Sequence, residues 1–209
     1  MLEADLPRTP KEAWQAIIDG NRRFVSGELA HPRQDIDRRT SLAAAQKPFA
    51  ALFGCADSRL SAEIIFDVGL GDLFVVRNAG QVIGETILGS MEYSVEVLGV
   101  SLILVLGHDE CGAIRATINA TEGKAPAKGE FIGELVSKIQ PTVLEANAQG
   151  LYGIDQITEL HVKDTINEMV TRSAVISQAI NEGKLAVVGA NYKLVEGEVH
   201  PVMVVGDIK

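Results

Sequence analysis

The chain of 209 residues has only two cysteines, Cys55 and Cys111, far apart in sequence. A disulfide scaffold is therefore excluded; in a reducing compartment such a pair is more often catalytic, metal-binding or simply buried. Positive charge is scarce as well. Against 28 Asp and Glu stand 19 Lys and Arg, for a net charge of −9 and a pI near 5.0. That balance argues against an extended surface for nucleic acid or an anionic membrane, so no nucleic-acid partner is expected. Long apolar runs are missing too: each is broken by charge or glycine before the roughly 18 residues that a membrane span needs. The stretch MLEADLPRTPKEAW lacks the basic and then apolar regions of a secretory signal, which leaves the cytoplasm as the expected location.

What is present is 46% hydrophobic residues, enough at this length for one packed domain over 1–209. A capping box opens the first helix, with Thr9 as N-cap, Pro10 at the first helical position and Glu12 at the third. Ala13, Trp14, Ile17 and Ile18 follow at helical spacing, with Phe24 and Val25 beyond them. That apolar face either covers its own core or packs on a neighbouring subunit. DIDRRTSLAAAQKP predicts a second helix ending before Pro48.

PFAALFGC, DLFVVRNAG at 72–80 and SLILVLGHDECG at 101–112 read as buried strands, with a helical pattern in ETILGSMEYSVEVLG between the last two. Strand, helix and strand repeat, which predicts an α/β fold with a mostly parallel central sheet flanked by helices. Further helices are predicted from Cys111 to about Ala120, around Ile132–Ala146 and, as one long element, around Gln156–Asn181; TEGKAPAKGE reads as a loop. The last two strand-like runs meet near Glu196 and Gly197 as a hairpin, giving an antiparallel C-terminal edge strand.

Cys55 follows the first strand directly and His108 follows the third. Groups just past the carboxyl ends of parallel strands converge on one crevice, above all where strand order reverses, so these two can meet. Cys111, three residues after His108, falls at the first turn of the next helix, whose N-terminus favours a thiolate. Two sulfurs and one imidazole are the donor set of a catalytic zinc site with a fourth position open, here for water or for Asp57. Zinc with two thiolates is formally neutral and acidifies water less than a zinc held by three neutral histidines, so Asp57 is read as accepting a hydrogen bond from zinc-bound hydroxide, with Arg59 holding Asp57 in a bidentate pair. Released by Arg59, Asp57 could bind the metal itself and close the site at low pH, with the hydroxide form favoured at high pH.

CADSR, with Cys55, Asp57 and Arg59, and GHDECG, with His108 and Cys111, resemble the C-x-D-x-R and H-x-x-C motifs of the β-class carbonic anhydrases. GNRRFV, LFVVRNAG and MEYSV extend the resemblance, which runs from about Trp14 to Val205 and is weak between about 117 and 180. The similarity implies one Zn²⁺ per chain, reversible hydration of CO₂ to bicarbonate and a proton, and an N-terminal helical arm over about 9–46 reaching across a partner. It also implies a homo-oligomer, dimer or tetramer, with the active site at a dimer interface. In the plant-like branch, Gln46 matches a substrate-binding glutamine, Phe74 and Tyr93 match pocket aromatics, and Ala79 matches a small residue beside them. Leu52 stands where a second branch has the tryptophan of an inhibitory bicarbonate site, so that regulation is not expected. No histidine is placed as a proton shuttle, which leaves that task to buffer.

Other readings of the same residues stay open at this level. The zinc could be closed and structural, with Asp57 as a permanent fourth ligand. The same hydroxide could instead hydrolyse carbonyl sulfide or carbon disulfide, and the two thiols could belong to a redox sensor that releases metal on oxidation. His31, His161 and His200 lack partner spacing and are expected to be surface or structural residues, while Asp109 is expected to cap a helix. DVGLGD lacks the G-x-G-x-x-G spacing of a dinucleotide site.

Overall fold

In the computed structural model, residues 6–209 are described, so residues 1–5 of the N-terminal stretch read above lie outside it. The first helix, α1 (Pro10–Ser26), begins as its capping box dictates: Thr9 Oγ1 accepts from Glu12 N, and Glu12 accepts from Thr9 N. Its Ala13 and Ile17 are fully buried against one face of the chain's own sheet, so the apolar face covers its own core. Gly20 lets α1 come close: a Cβ there would fall 1.7 Å from the Phe66 carbonyl oxygen. Asn21 then ties the helix down, accepting from Val199 N at 3.0 Å and donating to Gly197 O at 2.8 Å.

The second helix, α2 (Ile36–Ser41), is far shorter than its sequence suggests. It buries no residue, and a helix that short without a packed face has little to sustain it. The segment around it is held by charge instead. Buried Asp72 takes both Arg33 and Arg38, and buried Asp67 takes Arg23 together with the backbone N–H groups of Ala30 and His31.

The sheet comprises β1 (Ala50–Cys55), β2 (Leu73–Asn78), β3 (Leu102–His108), β4 (Ala186–Tyr192) and β5 (Val199–Val205). Their spatial order is β2-β1-β3-β4-β5, with the first four parallel and β5 antiparallel on the edge, as the sequence predicts. Alternate residues serve opposite faces. Leu52, Leu102, Leu104 and Val188 meet α1 and the short helix α3 (Ala62–Ile65). Phe53, Ile103, Val105 and Val187 meet α4 (Glu85–Glu96) and two later helices, α7 (Ile154–Arg172) and α8 (Ala174–Asn181).

The single long helix expected over 156–181 is thus two, a correction with a local cause. Ser173 leaves helical geometry (φ −105°, ψ 109°) and its Oγ accepts from Ile176 N, capping a new helix, while that hydroxyl donates to Glu92 of α4. The remaining helices, α5 (Gly112–Thr121) and α6 (Glu130–Ala148), pack with α7 over the carboxyl end of the sheet and enclose a third apolar cluster containing Cys55 and Cys111. Among the described residues, no helix is long and apolar enough to cross a membrane.

Candidate metal centre

The chain runs from β1 outward to β2 and then back across β1 to β3. Strand order therefore reverses between β1 and β3, and a crevice opens beyond their carboxyl ends. Cys55 is the last residue of β1, His108 the last of β3, and Cys111 the N-cap of α5. All three are buried, and their ligating atoms lie within 4.8 Å of one another.

Local bonds aim two of the donors, His108 and Cys55. Nδ1 of His108 lies 2.7 Å from the Asp109 carbonyl, which can only accept, so Nδ1 carries the hydrogen and Nε2 presents a lone pair. That Nε2 is buried with no hydrogen-bond partner among the described residues. A buried orphan acceptor is costly unless something unseen satisfies it, and here it faces two thiols. The two thiols lie against each other, and that proximity pulls Cys55 well below the usual thiol range and pushes Cys111 up. The Gly80 N–H, 3.4 Å from Cys55 Sγ, supports the charge there. Two soft sulfurs and an oriented imidazole fit a borderline-soft divalent ion such as zinc.

At the edge of the cluster, Arg59 grips Asp57 with two bonds of 2.8 Å, Nε to Oδ1 and Nη2 to Oδ2. This guanidinium holds the Asp57 carboxyl well below the usual carboxylate range. Asp57 Oδ2 sits 3.9 Å from His108 Nε2, next to the cluster and turned toward Arg59. The loop that carries Asp57 is clamped in turn by Arg77, which donates to the carbonyls of Cys55 at 2.8 Å and Asp57 at 2.5 Å.

The chain matches the family model described as carbonic anhydrase over residues 50–199. It is 48% identical to a carbonic anhydrase of Mycolicibacterium smegmatis over 200 residues, covering 95% of this chain and 96% of the relative. With carbonic anhydrase 2 of Mycobacterium tuberculosis it shares 50% identity over 194 residues, 92% of this chain and 93% of the relative. The chain belongs to the carbonic anhydrase family. Its fold places it in the β class: a solved β-carbonic anhydrase of Coccomyxa, in complex with acetazolamide, superposes with a TM-score of 0.71 at 28% identity, covering 90% of this chain and 86% of that one.

Of the other positions singled out by the resemblance to β-carbonic anhydrases, Ala79 adjoins Gly80 and so lies beside the cluster. Gln46, Phe74 and Tyr93 lie elsewhere. Phe74 pairs with Ala51 in the β1–β2 register while Cys55 pairs with Asn78, a step of four residues or about 13 Å along the sheet. Tyr93 packs against Phe74 with ring centroids 6.0 Å apart and the rings tilted by 38°, is 45% exposed, and shares an open hollow with Gln46.

Asp109 does not cap α5, correcting the expectation above. Its Oδ1 accepts from Leu194 N at 2.9 Å and so ties the β3–α5 loop to the β4–β5 connection. His200 is exposed beside Glu198, as expected. Sequence reading missed Arg77 and Asn78; His161, expected to be a surface or structural residue, is buried on α7. Asn78 brackets the tight turn at Ala79–Gln81 by bonding Val82 on both its N–H and its carbonyl. A glycine in RNAG hinted at that turn, but bonds from side chain to backbone leave no spacing signal that could have pointed to Arg77 or His161.

Proposed function

We propose that the chain catalyses reversible hydration of carbon dioxide to bicarbonate and a proton, with one zinc ion per chain held by Cys55, His108 and Cys111. The observation that carries this reading is the buried Nε2 of His108, without a hydrogen-bond partner among the described residues, facing two thiols at the switch point of the sheet. Zinc in such a set lowers the pKa of water and supplies a nucleophile at neutral pH.

The chain's own residues do the rest. Ionised Asp57 accepts a hydrogen bond from the nucleophilic water beside the cluster and aims its lone pair at the substrate carbon. Arg59 keeps Asp57 ionised and turned away from Cys55, His108 and Cys111, which would leave a bound ion open to water; released from Arg59, Asp57 would be free to bind that ion itself. The bidentate grip matters here, because a point charge would not fix both oxygens.

Carbon dioxide is small and uncharged, and suits an apolar pocket with few donors. Within one chain Phe74 and Tyr93 are too far along the sheet from Cys55 to line that pocket. We therefore assign Gln46, Phe74 and Tyr93 to the site of a second copy, with Ala79 serving its own, in a homodimer or a tetramer built from such dimers. Half-buried Phe74 on the edge strand β2, paired with exposed Tyr93 on α4, supports this. The whole chain is read as one catalytic domain. Its location is assigned to the cytoplasm, where two unpaired thiols are stable.

Metal withdrawal tests the reading. A chelator should abolish CO₂ hydration in step with zinc loss, and added zinc should restore it at one equivalent per chain. Activity that survives complete zinc removal would refute the proposal.

A further inference from the structure

The turn at Ala79–Gln81 touches the cluster through the Gly80 backbone. Gly80 has φ 75°, and a side chain there would place its Cβ 2.8 Å from Ala113 Cβ and 2.9 Å from Ile139 Cδ1, so glycine is required between the turn and helices α5 and α6. On one side of the Gly80 α-carbon its N–H donates to Cys55 Sγ at 3.4 Å. On the other side its carbonyl lies 2.7 Å from Nε2 of His161 on α7.

A carbonyl only accepts, so Nε2 of His161 carries the hydrogen. Burial lowers the His161 pKa, which keeps the ring neutral and leaves Nδ1 bare. Nδ1 is buried with no partner among the described residues, and the ring borders a cavity of about 80 Å³ whose lining includes Lys138 of α6 and Asp164 and Glu168 of α7. An apolar side chain would fill this site without leaving a buried nitrogen unsatisfied. What the imidazole supplies is its one ring bond, to the carbonyl of the residue whose own N–H faces Cys55.

We infer that His161 is a positioning residue for the metal centre: by holding the Gly80 carbonyl it fixes the turn so that the Gly80 N–H stays on the Cys55 sulfur. This rests on Cys55, His108 and Cys111 being metal ligands. Such an N–H bond draws charge off the thiolate and leaves the bound ion more electrophilic, the usual work of groups behind the ligands. Asn78 grips the far end of the same turn at Val82 and leaves the Gly80 carbonyl to His161.

The test is cobalt(II) and zinc binding to wild type, His161→Leu, His161→Asn and His161→Gln, with circular dichroism melting as a control for folding. In His161→Leu, which has no donor, and in His161→Asn, whose amide stops short of the carbonyl, the sulfur-to-cobalt charge-transfer band should move. Zinc affinity should fall by roughly 10–100-fold in both. His161→Gln, which returns an N–H near the Nε2 position, should restore the wild-type band. If His161→Leu fails to fold, His161→Asn decides. Variants that fold and match the wild-type band and zinc affinity would overturn the role of His161 alone. A wild-type chain that takes up neither ion would overturn the metal reading and this one with it.

Discussion

Arg59 binds both carboxylate oxygens of Asp57 and also reaches the carbonyl of Glu110, at 3.4 Å. One guanidinium thus joins the loop after β1 to the loop between His108 and Cys111. The residue that orients Asp57 also ties together the two loops that leave those strand ends.

Arg59→Lys should therefore lose much of the activity while keeping its zinc, because an ammonium cannot hold both oxygens in one plane. A fall of about 10–100-fold in kcat/KM is expected, the scale typical of groups that orient a metal site from behind its ligands. Steady-state kinetics on zinc-quantified protein decides; a lysine variant equal to wild type would remove the bidentate pair from the account.

The same pair fixes the sign of a stability effect. The folded pKa of Asp57 lies below its unfolded value, so the unfolded chain binds more protons and the pair stabilises the fold above the ordinary carboxylate range. That contribution is lost as pH falls through the folded value. Because Arg59 is exposed, solvent screens the pair and the contribution is small. Urea unfolding of metal-free wild type and Asp57→Asn should show a constant difference from neutral pH down to about 4, shrinking below that. A difference that grows on acidification would contradict the assignment.

If Gln46, Phe74 and Tyr93 serve a partner's site, defects on different chains should complement. Cys55→Ser and Tyr93→Ala homo-oligomers should each be impaired. Mixed oligomers should regain activity, since one site then combines an intact cluster with an intact Tyr93 from the other chain. Co-purification through two different tags provides the mixed species. Activity in the mixture no higher than the average of the two parents would place the aromatic pair outside the site.

Gly20→Ala tests the packing of α1 on the rest of the chain. The added methyl meets the Phe66 carbonyl oxygen at 1.7 Å, a backbone atom that cannot swing aside. A loss of about 3 kcal/mol or more is expected, at the upper end for overpacking, which for a chain of this size lowers Tm by roughly 6–12 °C. An unchanged Tm would mean that α1 does not sit on this face in solution.

The strands and the cluster were legible because each depends on short-range pattern. Glycine and a reactive residue close β1 and β3, and parallel strands bring such ends together whatever their distance in sequence. The break at Ser173 was harder to see, since Ser173 is both a tolerable helix residue and an N-cap, and only its bond to Glu92 on α4 decides. The shortness of α2 follows from what it lacks, a buried face, and its place from Asp72, thirty residues and more away from its arginines. His161 looked like any core histidine for the same reason: its partner is a backbone carbonyl, which no sequence pattern marks.

Stopped-flow CO₂ hydration from pH 6.5 to 9, on protein of known zinc content and with Asp57→Asn alongside, tests the central claim most directly. The account predicts a wild-type rate that rises with pH at one zinc per chain, and a steep loss in the variant with its zinc retained. Because Asp57 is ionised throughout that range, the rise belongs to the nucleophile and to the opening of the fourth position. Full zinc with no CO₂ hydration at any pH would contradict it, leaving a closed structural site or another small electrophile such as carbonyl sulfide.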